Sequence, residues 1–328
     1  MTEDDSHLDL LLPALLLIIG LFGLSYGADF LIRGAVSASR LIGISPFIIG
    51  LTVVAWGTSA PEVVVTVGAA LSGVPDVAVG NVIGSNITNV LLIGGVTALL
   101  IPLCCAPSTV RRDGAILVFV TLAVLVLAYT MGFLPRWVGL LLLLAMVAHT
   151  ILIFVGDGEE AVEEAPDVSW GWGLASIALF GGLAVLVIGG QIFIWGAVEI
   201  AEELHVPEAV IGATIVAIGT SLPELFASIA AARQGHRDVV IGNIVGSNLT
   251  NIMLVLGLVA FISPLPVPHE LFHSSLLLFG VTSVLFVGLL VTGRSIGRPI
   301  GFAFLLVFGL YLVMSLSGEG GSWHDLKL

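Results

Sequence analysis

The sequence predicts an all-α polytopic membrane protein, with ten transmembrane helices in two inverted five-helix repeats. Three observations predict it. Hydrophobic residues make up 58% of the chain and charged residues 10%, far from the roughly one-quarter charged of a soluble domain. Apolar runs of about 20 residues recur along most of the length, each able to cross a bilayer, and they lack the period-2 alternation of barrel strands. Third, the stretch GLTVVAWGTSAPEVVVTVGAALSGVPDVAVGNVIGSNITNVLLIGG (residues 50–95) returns at residues 212–257 as GATIVAIGTSLPELFASIAAARQGHRDVVIGNIVGSNLTNIMLVLG. The offset is 162 throughout, without a gap. About half of the paired residues are identical, and such a repeat decides the architecture.

In chain order the spans are expected near residues 9–32, 46–72, 77–101, 114–132, 136–155, 172–198, 208–232, 239–262, 271–292 and 299–317. Their connections are short and carry Pro, Gly or charge, as at Val74-Pro75-Asp76 and Ser263-Pro264. The distinctive linker is acidic and lies midway. Residues 1–155 form a first five-helix half with its repeat at 50–95, residues 156–171 a cytoplasmic linker, and residues 172–328 a second half with its repeat at 212–257. Gly34-Ala35-Val36 matches Gly196-Ala197-Val198 at the same offset, which pairs spans 1 and 6.

Orientation follows from the basic residues. With the N-terminus outside, the inner loops hold Arg33, Arg40, Arg111, Arg112, Arg233, Arg237, Arg294 and Arg298, against Arg136 and Lys327 outside. Cytoplasmic loops collect Arg and Lys, so both termini are expected outside. Five is an odd number of spans, so the second half enters from the opposite side. The N-terminal Thr2-Glu3-Asp4-Asp5 is acidic where a secretory signal would be basic. The net charge of −13 excludes a nucleic-acid partner; its acidic excess reads first as a solvated acidic loop, and second as an acid-rich, lysine-poor surface suited to high salt, as in a halophile.

Within span 2, Pro61 has no N–H for the carbonyl of Gly57 and its ring pushes that carbonyl aside. Loosened backbone oxygens at membrane depth are tolerated where they line a cavity or bind something. Glu62 lies one turn beyond Thr58 and shares a face with those oxygens and with the Thr58 and Ser59 hydroxyls. Span 7 repeats the set as Thr220, Ser221, Pro223 and Glu224. A carboxylate at the midplane costs at least about 2.5–3.5 kcal/mol, so two buried glutamates among oxygen neighbours call for a cation. Carboxylates, carbonyls and hydroxyls are hard ligands, suited to Ca²⁺ or Na⁺. In span 3, Asn81, Ser85 and Asn89 form a polar stripe at i, i+4 and i+8, repeated in span 8 by Asn243, Ser247 and Asn251. Such stripes serve as interhelical glue. Beside the glutamate spans they read as the other wall of a cation site, with Ser85 and Asn89 as ligands and Asn81 as packing.

The doubled GTS-x-PE and GSN-x-x-N motifs closely resemble the two alpha repeats of the cation/calcium exchanger superfamily, and most closely its prokaryotic sodium/calcium exchangers. The resemblance covers essentially the whole chain. It implies an antiporter, not an enzyme, that exchanges Na⁺ for Ca²⁺ by alternating access, with both ions as substrates and no cofactor. It places the protein in a prokaryotic plasma membrane, with spans 1 and 6 as the moving gate. On matching positions, Ca²⁺ falls to Glu62, Glu224 and the carbonyls of Thr58 and Thr220. Flanking Na⁺ sites use Ala55, Ser59 and Ser85 in one half and Ala217, Thr220, Ser221 and Ser247 in the other, with Asn89 and Asn251 at the centre. Many relatives, potassium-dependent members among them, carry aspartate where this chain has Asn251. That departure points away from potassium dependence. A Ca²⁺/H⁺ exchanger of the same superfamily is the alternative.

Other signals weigh less. His269-Glu270-Leu271-Phe272-His273 spells H-E-x-x-H, which would make an intramembrane zinc metalloprotease. It follows three prolines at the start of span 9, shows no third ligand and leaves the repeats unexplained. Asp29 and Arg33 read as an ion pair one turn apart, and His149 as hydrogen-bonded packing rather than a proton relay. Trp137, Trp170 and Trp172 read as interfacial anchors, and the adjacent Cys104 and Cys105 as packing residues.

Overall fold

The computed structural model describes residues 3–104, 107–156, 170–206, 211, 215, 217–267 and 269–316. It is helical apart from two short strands. Helix α1 (Glu3–Ile42) leads into a bent segment: α2 (Pro46–Ile49), a π-helical stretch at Gly50–Val54, α3 (Ala55–Thr58) and α4 (Ala60–Leu71). Helix α5 (Pro75–Thr88) continues through a π-helical stretch at Asn89–Ile93 into α6 (Gly94–Leu100). Helices α7 (Pro107–Met131) and α8 (Arg136–Gly156) complete the first half. The second contains α9 (Trp172–Glu203), α10 (Ala217–Gly219) and α11 (Leu222–Arg233). Helix α12 (Arg237–Leu249) then passes through a π-helical stretch at Thr250–Leu256 into α13 (Gly257–Ile262), and α14 (His269–Val291) and α15 (Arg298–Leu316) follow.

Eight of the described helical segments are long and apolar enough to cross a membrane, and a ninth span forms if α2–α3 and α4, bent by 44°, count as one. The expected span near residues 208–232 lies partly outside the described residues, which hold its α10 and α11. The segments α5–α6 and α12–α13 are the most deeply buried and form the centre. Helices α1 and α9 lie together at the periphery, with much of their apolar surface exposed, as lipid-facing helices require.

The offset of 162 reappears in the contacts, with partners exchanged. Helices α1 and α9 run antiparallel and touch backbone to backbone at glycines. A Cβ on Gly20 would stand 2.5 Å from Phe193 N, and one on Gly182 would stand 2.4 Å from Leu31 N, which is the same contact seen from the other half. Gly34 meets Leu179, and Gly196 meets Leu17, in the same reciprocal way. Small residues that admit such approach are how membrane helices associate without a hydrophobic driving force between them. The bridge Leu103–Ile296 has its counterpart in strand β1 (Phe133–Leu134) paired antiparallel with β2 (Leu265–Pro266), where Leu134 faces Leu265. The buried contact of His149 Nε2 with Asp113 Oδ1, at 2.8 Å, has its counterpart in the hydrogen bond between Tyr311 and Ser275.

One sequence reading changes, and another gains a named partner. Asp29 does not pair with Arg33 among the described residues. It accepts from Gln234 Nε2, at 3.3 Å to Oδ1 and 3.4 Å to its carbonyl, because α11 ends beside α1 and delivers an amide across the interface. His149 is held by a carboxylate on the neighbouring helix, so its packing role carries an acidic partner. The side chains of His269, Glu270 and His273 lie outside the described residues.

Candidate functional site

The two GTS-x-PE motifs break their helices at the serine. Ser59 sits between α3 and α4 with φ −79° and ψ 7°, and Ser221 stands before α11 with φ −88° and ψ 6°. Pro61 and Pro223 fall in the first turn of the helix that follows, where a missing N–H costs nothing. The break is therefore sited at the serine, and proline starts the new helix. Each glutamate then lies in a first helical turn, where the positive end of the helix dipole favours a carboxylate.

Both glutamates are 1% exposed. Each accepts a hydrogen bond from the serine of the opposite motif: Ser59 Oγ donates to Glu224 Oε1 at 2.9 Å, and Ser221 Oγ donates to Glu62 Oε1 at 3.2 Å. The Thr58 and Thr220 hydroxyls are within hydrogen-bonding reach of the same carboxylates, Thr58 of Glu224 and Thr220 of Glu62. Neither Glu62 nor Glu224 has a basic partner among the described residues. The second oxygens, Glu62 Oε2 and Glu224 Oε2, are buried and make no hydrogen bond. A buried unpaired carboxylate is costly, so these oxygens point to a cation.

The polar stripes of α5 and α12 close the other side. Ser85, Ser247, Asn89 and Asn251 are all buried, and Ser85 Oγ, Ser247 Oγ, Asn89 Oδ1 and both polar atoms of Asn251 have no hydrogen-bond partner. Asn89 Nδ2 donates to Asn248 Oδ1 at 3.0 Å and ties the centre of one half to the other. The outer members of the stripes serve as glue: Asn81 Nδ2 donates to Thr66 Oγ1 at 2.8 Å, and Asn243 Nδ2 to Ser228 Oγ at 2.9 Å. The pair Asn86 and Asn248, inside the GSN motif, is fully buried beside the ligand candidates and was not singled out by spacing.

Of the twelve residues expected at the site, the structure brings Glu62, Glu224, Thr58, Thr220, Ser59 and Ser221 together, with Ser85, Ser247, Asn89 and Asn251 on the adjoining stripes. Ala55 is buried, but its carbonyl already accepts from Ser59 N at 3.0 Å and Thr58 Oγ1 at 3.3 Å. Ala217 lies in α10, its side chain outside the described residues. There the pattern shifts by one residue, Ser221 N donating to Ile218 O at 3.1 Å. Among the described residues no three His, Cys, Asp or Glu cluster. The donor set is two carboxylates with hydroxyls, amides and backbone oxygens, which fits hard cations.

Sequence and structure comparisons agree with one another. The family profile described as sodium/calcium exchanger protein matches residues 12–155 and again residues 174–317. The chain is 32% identical over 341 aligned positions to the sodium/calcium exchanger MaX1 of Methanosarcina acetivorans, covering 92% of this chain and 97% of that one. It is 37% identical over 265 positions to the inner membrane protein YrbG of Escherichia coli, covering 78% and 81%. Its structure superposes on that of the sodium-calcium exchanger NCX_Mj soaked with 10 mM Na⁺ and 10 mM Sr²⁺. The TM-score is 0.83 at 29% identity, over 93% of this chain and 98% of that one.

Proposed function

Because the chain belongs to the sodium/calcium exchanger family, we propose that it exchanges Na⁺ for Ca²⁺ across the membrane, with Glu62 and Glu224 as the central ligands. The observation that carries this reading is the pair of crossed bonds, Ser59 to Glu224 and Ser221 to Glu62. They bring two carboxylates from opposite halves to one buried point and leave one oxygen of each free.

Ca²⁺ takes the free carboxylate oxygens together with the carbonyls of Thr58 and Thr220. Na⁺ takes the flanking oxygens of Ser59 and Ser85 on one side and of Thr220, Ser221 and Ser247 on the other. Asn89 and Asn251 face the centre. Ala55 and Ala217 contribute through their carbonyls, and for Ala55 this requires release of a bond within its own helix. Because both ions draw on the charge of the same two carboxylates and on Thr220, Na⁺ and Ca²⁺ displace one another, which is the chemical basis of obligatory exchange.

The exchanged-partner contacts support two inverted halves, residues 1–155 and 172–328, joined by residues 156–171. The site lies at their interface near the midplane, a recurrent transporter arrangement. Both termini face outward, and α1 with α9 forms the gate that alternates access. ⁴⁵Ca²⁺ uptake into proteoliposomes tests the reading. Uptake that follows an imposed Na⁺ gradient supports it. Uptake that follows a pH gradient and ignores Na⁺ replaces it with Ca²⁺/H⁺ exchange.

A further inference from the structure

The two-fold relation between the halves fails in one region, and the failure identifies a pair of latches. Helix α1 packs on α11, whereas α9 makes at most marginal contact with α4, which is the same pairing at the offset of 162. The surfaces agree. Val64 on α4 is 72% exposed while its counterpart Phe226 on α11 packs against the core. A Cβ on Gly68 would meet open space, while its counterpart Ala230 is buried. The covering of the two GTS turns is also one-sided: Gly57 lies against Leu183 and Gly219 against Ile194, and both of these belong to α9.

The polar contact that closes α1 onto the end of α11 is Gln234 Nε2 to Asp29 Oδ1, with both residues half-buried. At the offset of 162 their counterparts are Ser72, at the end of α4, and Gln191, on α9. These two are exposed and their side chains are not joined to each other. The protein is thus closed on the face that carries Arg33 and Arg233 and open on the face that carries Ser72. We propose that Asp29–Gln234 and Gln191–Ser72 are alternative latches. The first holds the described state. The second forms when α1 and α9 shift to give the mirror-image state, in which the first is broken. The first latch has a carboxylate acceptor and the second is neutral, and charge-assisted bonds are the stronger. The described state is therefore the resting one. This inference rests on the alternating-access reading above and adds the residues that act on it.

Paired cysteines in a background with Cys104 and Cys105 replaced by Ser test it in proteoliposomes, with copper phenanthroline as oxidant and peptide mass spectrometry as readout. Na⁺-driven ⁴⁵Ca²⁺ flux is measured first on the unmodified protein and on the reduced variants. Absence of flux in the unmodified protein defeats the exchanger reading itself and is seen before any cross-linking. With flux present, Asp29→Cys/Gln234→Cys is expected to cross-link at rest and to lose at least tenfold of its rate until reduced. Gln191→Cys/Ser72→Cys is expected to cross-link several-fold faster during exchange than without ions. A cross-linked first pair that still exchanges, or a second pair whose cross-linking ignores turnover, overturns the latches. A single substitution gives an independent readout. Asp29→Leu should lower the population of the resting state, weakening apparent Ca²⁺ affinity at the Ser72 face and tightening it at the arginine-bearing face. Asp29→Asn keeps the acceptor oxygen and should restore both toward the wild-type values. Equal shifts at the two faces would mark a purely structural role and reject the proposal.

Discussion

Glu224→Gln keeps the shape of a buried ligand and removes one of the two charges at the candidate site. With an effective dielectric constant of about 20 and a metal–oxygen distance of about 2.4 Å, one carboxylate attracts a divalent ion by about 14 kcal/mol and a monovalent ion by about 7. The amide dipole and local relaxation return much of this. If a quarter survives, Ca²⁺ binding loses about 3.5 kcal/mol, or roughly 300-fold, and Na⁺ binding about 1.7 kcal/mol, or roughly 20-fold. The expected signature is therefore unequal: Ca²⁺ transport is abolished at micromolar Ca²⁺, while Na⁺–Na⁺ exchange is weakened less. The fold should not suffer, because an unpaired buried carboxylate is itself costly. Ser59, which donates to Oε1 of Glu224, can donate to the amide oxygen of the glutamine. The assay is ⁴⁵Ca²⁺ and ²²Na⁺ flux on one proteoliposome preparation, with the melting temperature in detergent as control. A Ca²⁺ KM within threefold of wild type, or a Na⁺ defect as large as the Ca²⁺ defect, would refute the reasoning. The same result is expected of Glu62→Gln.

Asn251→Asp adds a third carboxylate at a neutral position of the site, so a proton can stand in for a missing cation; Na⁺-driven Ca²⁺ flux against pH should become more acid-sensitive than wild type, and the wild type should need no K⁺. Cysteines placed at Ser6 and Glu160 of a Cys-free variant should label from opposite sides of the membrane, and labelling from one side rejects the orientation. Gly182→Val places a side chain against the backbone of Leu31, where even a Cβ would stand 2.4 Å from its nitrogen; a cost of about 1–3 kcal/mol is expected, seen as a lower melting temperature together with lost exchange. The same change at Gly68, which faces open space, should leave the melting temperature within about 1 °C, since exposed substitutions usually shift stability little.

The doubling of polar motifs made the candidate site legible because an apolar chain carries few reasons to repeat Glu, Ser and Asn at a constant spacing. The repeat paired spans 1 and 6 as counterparts, and the reciprocal glycine contacts between α1 and α9 emerged only from the packing. The π-helical stretches at Asn89–Ile93 and Thr250–Leu256 left no mark in composition. They change which carbonyl each N–H meets while keeping the same apolar residues. Asp29 was misread for a related reason. A local partner one turn away is visible in sequence, whereas Gln234 comes from an element 205 residues along the chain. The difference between the halves was also hidden. Equivalent sequences describe two equivalent halves, and only the packing shows that α1 lies on α11 while α9 leaves α4 largely uncovered. Asn86 and Asn248 stood inside the recognised motif, and their burial beside Asn89 is the signal that spacing alone missed.

Two glutamates without a basic partner have an electrical consequence. In the proposed exchange, no fixed positive charge among the described residues offsets them, so the charge of the loaded centre is that of the cargo less the two carboxylates. Loaded with one Ca²⁺, or with two Na⁺, the centre is neutral and the membrane voltage does no work on it. With three Na⁺ it carries one positive charge, and each 100 mV then contributes about 2.3 kcal/mol to the direction of exchange. The occupancy of the site thus decides whether the protein is blind to the cell's voltage or driven by it.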